Sequence, residues 1–358
     1  MNGATTFLLA RPTSTVRGDG ALAQYRSVAD ARAALGSGAV AAITGALGFD
    51  TSGPAALTAP ASLHRSSTPL PSRTPVARTP HTASSTPPDV HRHRVRRVLA
   101  AIDDDVVRKA VLARTLDLAF DEPLDPSELV SAFAHGAAQS AVFAVAFPEP
   151  DRRWLIGASP ELLIRRSGRI VTCHPYAGSA ARHADPELDA ATARGLAESG
   201  KDRREHAFVV DDVRALLAPL CTELNAPPEP SLTSTGEMWH LGSRIRGVLA
   251  DDSSTALDLA ALLSPTPAVC GTPTAAAASL IADVEGPREF YAGTVGWCDA
   301  AGDGEWLVAI RCLELQADRR AVRTWAGGGI VAGSDPDAEV AETDAKFRTV
   351  LRALGLTP

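Results

Sequence analysis

The sequence predicts one large α/β (α+β) body. Runs of short strand-like segments are interrupted by long stretches with helical spacing, a layered sheet-and-helix pattern. The chain has 358 residues and 45% hydrophobic content, which supports a sizeable core in one large domain or two. No short internal repeat divides it.

The elements follow in order. Strands at Thr6–Leu9 and Val40–Ile43 flank a helix near Val28–Leu35. Residues 51–90 are rich in Pro, Ser and Thr and read as a long loop or irregular wrap outside the core. The basic run His91–Arg97 (HRHRVRR) heads a helix reaching about Ile102 and reads as a solvated face rather than a polyanion site. Arg108–Asp117 is a predicted strand, Pro126–Ala137 a helix, and Ala141–Phe147 and Trp154–Ala158 further strands. Leu162–Arg166 and Arg169–His174 form a hairpin about Ser167-Gly168. One helical stretch runs from Pro186 to about Leu217 and stops at Pro219. Trp239–Gly247 is a strand, and Thr255–Leu263 and Thr274–Asp283 are helices. Tyr291–Cys298, Glu305–Leu315 and Ala321–Ala326 make a three-strand run, its first pair joined by an Asp303-Gly304 turn. A last helix spans Asp337 to Leu354.

Composition excludes several classes. A net charge of -7 argues against nucleic acid as the main partner. No apolar run approaches the ~20 residues of a membrane span. The start, MNGATTFLLARP, lacks the basic flank and cleavage pattern of a signal peptide. Cys173, Cys221, Cys270, Cys298 and Cys312 show no CxxC spacing and read as reduced core thiols of a cytoplasmic protein.

Chemistry concentrates near the C-terminus, in AGGGIVAGSDPDAEVAETDAK (residues 326–346). Glu339, Glu342 and Lys346 share one helical face by their spacing. Two carboxylates there can hold a hard divalent cation, and the lysine can grip an anion. Gly328 and Gly329 leave backbone N–H groups open to close approach. The plain alternative is a solvated helix with an ordinary Glu–Lys pair. Gly327 to Ala332 also fits G-x-G-x-x-A, but Pro336 and a turn intervene before the helix, against a dinucleotide fold. Lys109 heads the apolar segment AVLAR and either snorkels outward or serves an interior site as a base. Glu161 follows GASP directly after a strand, where burial would hold it protonated as a general acid. Glu205 lies in the dense charged turn KDRREH, and His240 sits in an apolar strand as a core histidine or a site residue.

Together these segments resemble the chorismate-utilising enzymes, and within them the isochorismate synthases. The matching blocks are RKAVLAR, GASPELLIRR, HPYAGSAAR, KDRREHAFVVDDV, WHLGSRIRG, SPTPAVCGTPT, REFYAGTVGWCDAAGDGEWLVAIRC and AGGGIV...SDPDAEVAET..K. They run in the family's order from about residue 106 onward, with a looser match before. The resemblance implies a single fold of two facing halves with the active site between them. Residues 1–90 would be the N-terminal part of that fold and residues 91–358 the chorismate-binding core. It implies chorismate as substrate, Mg2+ as cofactor, a monomer, and a product feeding siderophore, menaquinone or other specialised metabolism.

The resemblance also assigns roles. Lys109 activates water and Glu161 protonates the leaving hydroxyl. Glu205 and Glu342 ligate the metal, with Glu339 directly or through water. Arg311 and Lys346 bind carboxylate, assisted by the backbone at Gly328 and Gly329, while Tyr291 and His240 line the ring site. Ala268 stands where ammonia-using and salicylate-forming relatives carry Thr, so release of intact isochorismate is expected. Salicylate synthesis and a non-catalytic chorismate-binding module are the alternatives. Ser264, Val340 and Gly328 depart from the family pattern (His, an aromatic residue and Ala, respectively) without removing a catalytic group.

Overall fold

The computed structural model describes residues 5–356 except 138. Two large antiparallel sheets face each other. The ten-stranded sheet runs Gly271–Thr272, Lys109–Ala119, Ala321–Val331, Cys312–Leu315, Trp154–Ser159, Ala141–Ala146, Thr5–Arg11, Ser14–Asp19 and Ser62–Ser66, with Thr82–Ser85 beside Lys109–Ala119. The nine-stranded sheet runs Cys221–Asn225, Ile245–Leu249, Ile170–His174, Leu162–Ser167, Gly304–Val308, Thr294–Asp299, Ala42–Leu47, Ala56–Ala59 and Ala23–Tyr25. A small third sheet joins Tyr176–Ala181, Met238–Gly242 and Ser231–Ser234.

Strand alternation explains the layering. Phe7, Leu9, Phe143 and Val145 point inward and meet Ile43, Leu57, Ile164 and Trp306 of the opposite sheet in the main core. Their neighbours Leu8, Val142 and Ala144 point outward and are covered by Leu129, Phe133 and Val350 of the helices Pro126–Gly136 and Pro336–Ala353. Glu305 ties the sheets by accepting from Arg11 of the ten-stranded sheet and from Arg165 of its own, at 2.7 and 2.8 Å.

Five sequence readings need correction. Within residues 51–90, Ala56–Ala59 is a fully buried strand, and Ser62–Ser66 and Thr82–Ser85 are also paired. Pro54 and Pro60 bracket the ALTA strand, and its small side chains hid a core segment inside loop-like composition. The stretch from Pro186 to Leu217 is two helices, Pro186–Glu198 and Gly200–Leu217, because Ser199 leaves helical geometry and caps the second. Trp239–Gly247 divides at Ser243–Arg244 between two sheets. Glu305–Leu315 likewise divides at Ala309–Arg311, so the expected three-strand run is shared between the two large sheets. The glycine run does not end its strand. Ala321–Val331 stays paired through Gly327, Gly328 and Gly329 with Ala113, Leu112 and Val111.

The strand breaks mark where the chain changes sheets. It crosses from the ten-stranded to the nine-stranded sheet at Pro160-Glu161 and returns at Ala309–Arg311. The two crossings touch, Ala158 N donating to Arg311 O at 3.1 Å. Arg311 makes its turn with φ 51, a left-handed conformation uncommon for a side-chain-bearing residue.

Candidate active site

A cavity of about 710 Å³, counting its open mouth, lies where the crossings, the small sheet and two helices converge. Glu161 and Arg311 enter it from the crossings, and His240 from the small sheet. Glu205 comes from Gly200–Leu217, Glu342 and Lys346 from Pro336–Ala353, and Ala268 and Tyr291 from loops. The structure thus brings together nine of the expected residues on or beside one wall, Gly329 included. Lys109, Glu339 and Gly328 stand just behind the lining.

Lys109 heads its strand opposite Val331 and is wholly buried, resolving the snorkel alternative toward the interior. Its Nζ lies 3.0 Å from Glu205 Oε1. Glu161 is 3% exposed, and burial pushes its carboxyl up to about 8, against the weaker pull of a Tyr176 backbone hydrogen bond and the charges of Lys109, Lys346 and Arg311. It is therefore a carboxylic acid at neutral pH. His240 is held well below its usual value by burial and then by Arg311 and Lys346, so the ring is neutral. Its Nε2 is 3.2 Å from Thr235 Oγ1. Tyr291 stacks on Trp325 with ring centroids 5.3 Å apart and planes within 7°.

The glycines admit the carboxylates. Strand alternation puts Gly327 and Gly329 on the cavity face and Gly328 toward the C-terminal helix. A Cβ on Gly329 would collide with Glu205 Oε1 and come within 3.2 Å of Lys109 Cε. One on Gly328 would lie 2.7 Å from Glu339 Oε2. A methyl at position 328, as in the family pattern, would oblige the tip of the Glu339 side chain to shift. Ser264 and Val340 are not in the cavity lining.

Each of the three glutamates faces a lysine: Glu205 with Lys109, Glu339 with Lys201 at 3.2 Å, and Glu342 with Lys346. Ser179 Oγ also donates to Glu342 at 2.9 Å, and Lys346 to Gly327 O at 2.9 Å. Burial raises Glu339, with Glu342 and Glu205 adding to the rise, so the carboxylates sense one another. Burial also acts on Glu342, but Lys346 and Ser179 outweigh it and hold the group low. Glu339 Oε2 is buried without a partner. Among the described residues no three acidic, histidine or cysteine side chains form a ready metal cage. The all-oxygen donor set and the orphaned oxygen nonetheless fit a hard dication once the lysines yield.

Sequence reasoning assigned no role to Tyr176, Ser179, Lys201 or Trp325. Lys201 and Glu205 share the one-turn spacing that drew attention to Glu342 and Lys346, so that pair had a usable signal. The others depend on contacts between distant elements, such as Ser179 Oγ to Glu342 at 2.9 Å and Trp325 stacked on Tyr291.

Comparison with known proteins decides the family. The chorismate binding enzyme family profile matches residues 55–355. The chain belongs to the chorismate-binding enzymes. Among similar members, a Mycobacterium tuberculosis protein carried under a provisional isochorismate synthase name, MenF, is 47% identical over 98% of this chain and 96% of its own length. Isochorismate synthase DhbC of Bacillus subtilis is 48% identical over 75% of this chain and 68% of its own. A Bacillus anthracis crystal structure, titled provisionally as a 2,3-dihydroxybenzoate-specific isochorismate synthase, superposes with a TM-score of 0.90 at 37% identity, covering 100% of this chain and 98% of that one. The α/β architecture expected for a chorismate-binding enzyme is the one observed. No described helix is long and apolar enough to cross a membrane.

Proposed function

We propose that this chorismate-binding enzyme is a Mg2+-dependent isochorismate synthase. It adds water at C2 of the chorismate ring, shifts the double bonds and expels the C4 hydroxyl. The observation that carries the reading is the pairing of a fully buried lysine with a buried, protonated glutamic acid about one cavity that also presents a buried arginine.

In this reading Lys109 takes a proton from water and Glu161 gives one to the departing hydroxyl. Lys109 Nζ lies 3.0 Å from Glu205 Oε1 in a wholly buried place, out of reach of bulk solvent. Arg311 is 7% exposed and makes no side-chain ion pair among the described residues, so its planar fork is left to grip a substrate carboxylate bidentately. Lys346 supplies a second positive charge, and Tyr291 and His240 bound the ring.

Glu205 and Glu342 would hold Mg2+, with Glu339 directly or through water. Bound there, the ion would neutralise and fix one of the substrate's two carboxylates. Ala268 on the cavity wall presents a methyl group in place of a hydroxyl, which supports release of isochorismate intact. That product suits siderophore, menaquinone or other specialised metabolism in a cytoplasmic, monomeric enzyme. Chorismate turnover with and without added Mg2+ tests the reading. No turnover in either condition would leave a non-catalytic binding module.

A further inference from the structure

The three lysine–glutamate pairs are not equivalent. Lys109 is wholly buried, and Lys346 is anchored a second time on Gly327 O. Lys201 is about a third exposed, at 32%, while the Glu339 it faces is 1% exposed. It links two helices, Gly200–Leu217 and Pro336–Ala353, and stands one turn before Glu205 on its own. Its ammonium therefore sits at the solvent edge of the cluster, facing Glu339 with Glu205 on the same helical face.

We propose that Lys201 is a tethered cation that neutralises the carboxylate cluster when no metal is present, leaves when a divalent cation binds, and thereby sets the affinity of the site. The proposal rests on the Mg2+ reading of the cavity. Buried carboxylates close together need a counter-charge to be tolerated. The lysine stem is flexible, and its exposed side gives the ammonium a path to water. A dication on Glu339 must take the oxygen Lys201 now engages or the unpartnered Oε2 beside it. In either place it repels the ammonium. Lys201 is thus a positioning residue, holding Glu339 in place for a ligand that replaces it.

The test is calorimetric titration of Mg2+ into the unaltered protein, Lys201→Met and Lys201→Arg. Lys201→Met should bind Mg2+ at least about tenfold more tightly, the scale of one like charge removed from a partly screened neighbour. Its metal-free form should melt at a lower temperature. Lys201→Arg, which keeps the charge, should stay within about threefold of the unaltered protein. Unchanged or weaker Mg2+ binding by the methionine variant overturns the proposal. Should that variant not fold, amine acylation of the unaltered protein, read by mass spectrometry, gives the same answer. Mg2+ should raise labelling at Lys201 severalfold, and equal labelling overturns the proposal. If the unaltered protein takes up no Mg2+ at all, as Glu342→Ala should not, the cation reading itself fails, and the silence of the unaltered protein identifies that outcome.

Discussion

Glu161→Gln should make the protein more stable and less active at once. Glu161 titrates near 8 in the folded chain against an ordinary 4.5, because burial disfavours the carboxylate. Across that window the folded state binds more protons than the unfolded one, so raising the pH lowers stability. Each pH unit above the ordinary value costs about 1.4 kcal/mol, roughly 3 kcal/mol by pH 7. Glutamine fills the same space, has no proton to lose, and escapes this cost. Thermal melts at pH 4 and pH 7 should therefore nearly coincide for the two proteins at the lower pH and separate in favour of glutamine at the higher. Turnover should fall by about 100-fold or more, the scale of a lost proton-transfer group. The unaltered enzyme should lose activity as pH rises through about 8, where Glu161 gives up its proton. Equal melts at both pH values would refute the buried-acid argument. Near-normal turnover in Glu161→Gln would refute the catalytic role.

Four other variants probe the rest of the site. Lys109→Ala should lower kcat by about 100-fold or more while chorismate binding, followed by calorimetry, largely survives. Glu205→Ala or Glu342→Ala should abolish the Mg2+ dependence of turnover with the far-ultraviolet circular dichroism spectrum unchanged, and retained Mg2+ stimulation would remove these residues from the metal site. Gly329→Ala drives a methyl into Glu205 and against Lys109, so it should cost about 1–3 kcal/mol in denaturant unfolding and most of the activity. A silent Gly329→Ala would show that the two side chains stand elsewhere in the working enzyme.

The residues that converge on the cavity were more legible in the sequence than the strand boundaries. Glu339, Glu342 and Lys346 announce themselves by helical spacing, and the strand ahead of Glu161 is apolar enough to read directly. That Glu161 and Arg311 sit where the chain changes sheets was not legible, because a crossing is set by packing between distant strands. The same cause hid the splits at Ser243–Arg244 and Ala309–Arg311, where strand-like sequence on both sides runs through a change of sheet. Ala56–Ala59 was missed because its proline-bracketed alanines look like linker until a neighbouring strand buries them. The glycine run read as the end of a strand because glycine is a poor strand former. At Gly329 the strand is approached closely by Glu205 and Lys109, which only the folded chain displays.

The most direct test of the account is a chromatographic trace of chorismate incubated with the protein and Mg2+ at neutral pH, with pyruvate followed in parallel by a lactate dehydrogenase assay. The account predicts a reversible reaction that settles at a chorismate–isochorismate mixture, reached from either side, with little pyruvate. Stoichiometric pyruvate and salicylate would contradict the product assignment drawn from Ala268. Anthranilate or aminodeoxychorismate formed with ammonium present would contradict it in favour of the amine-using branch.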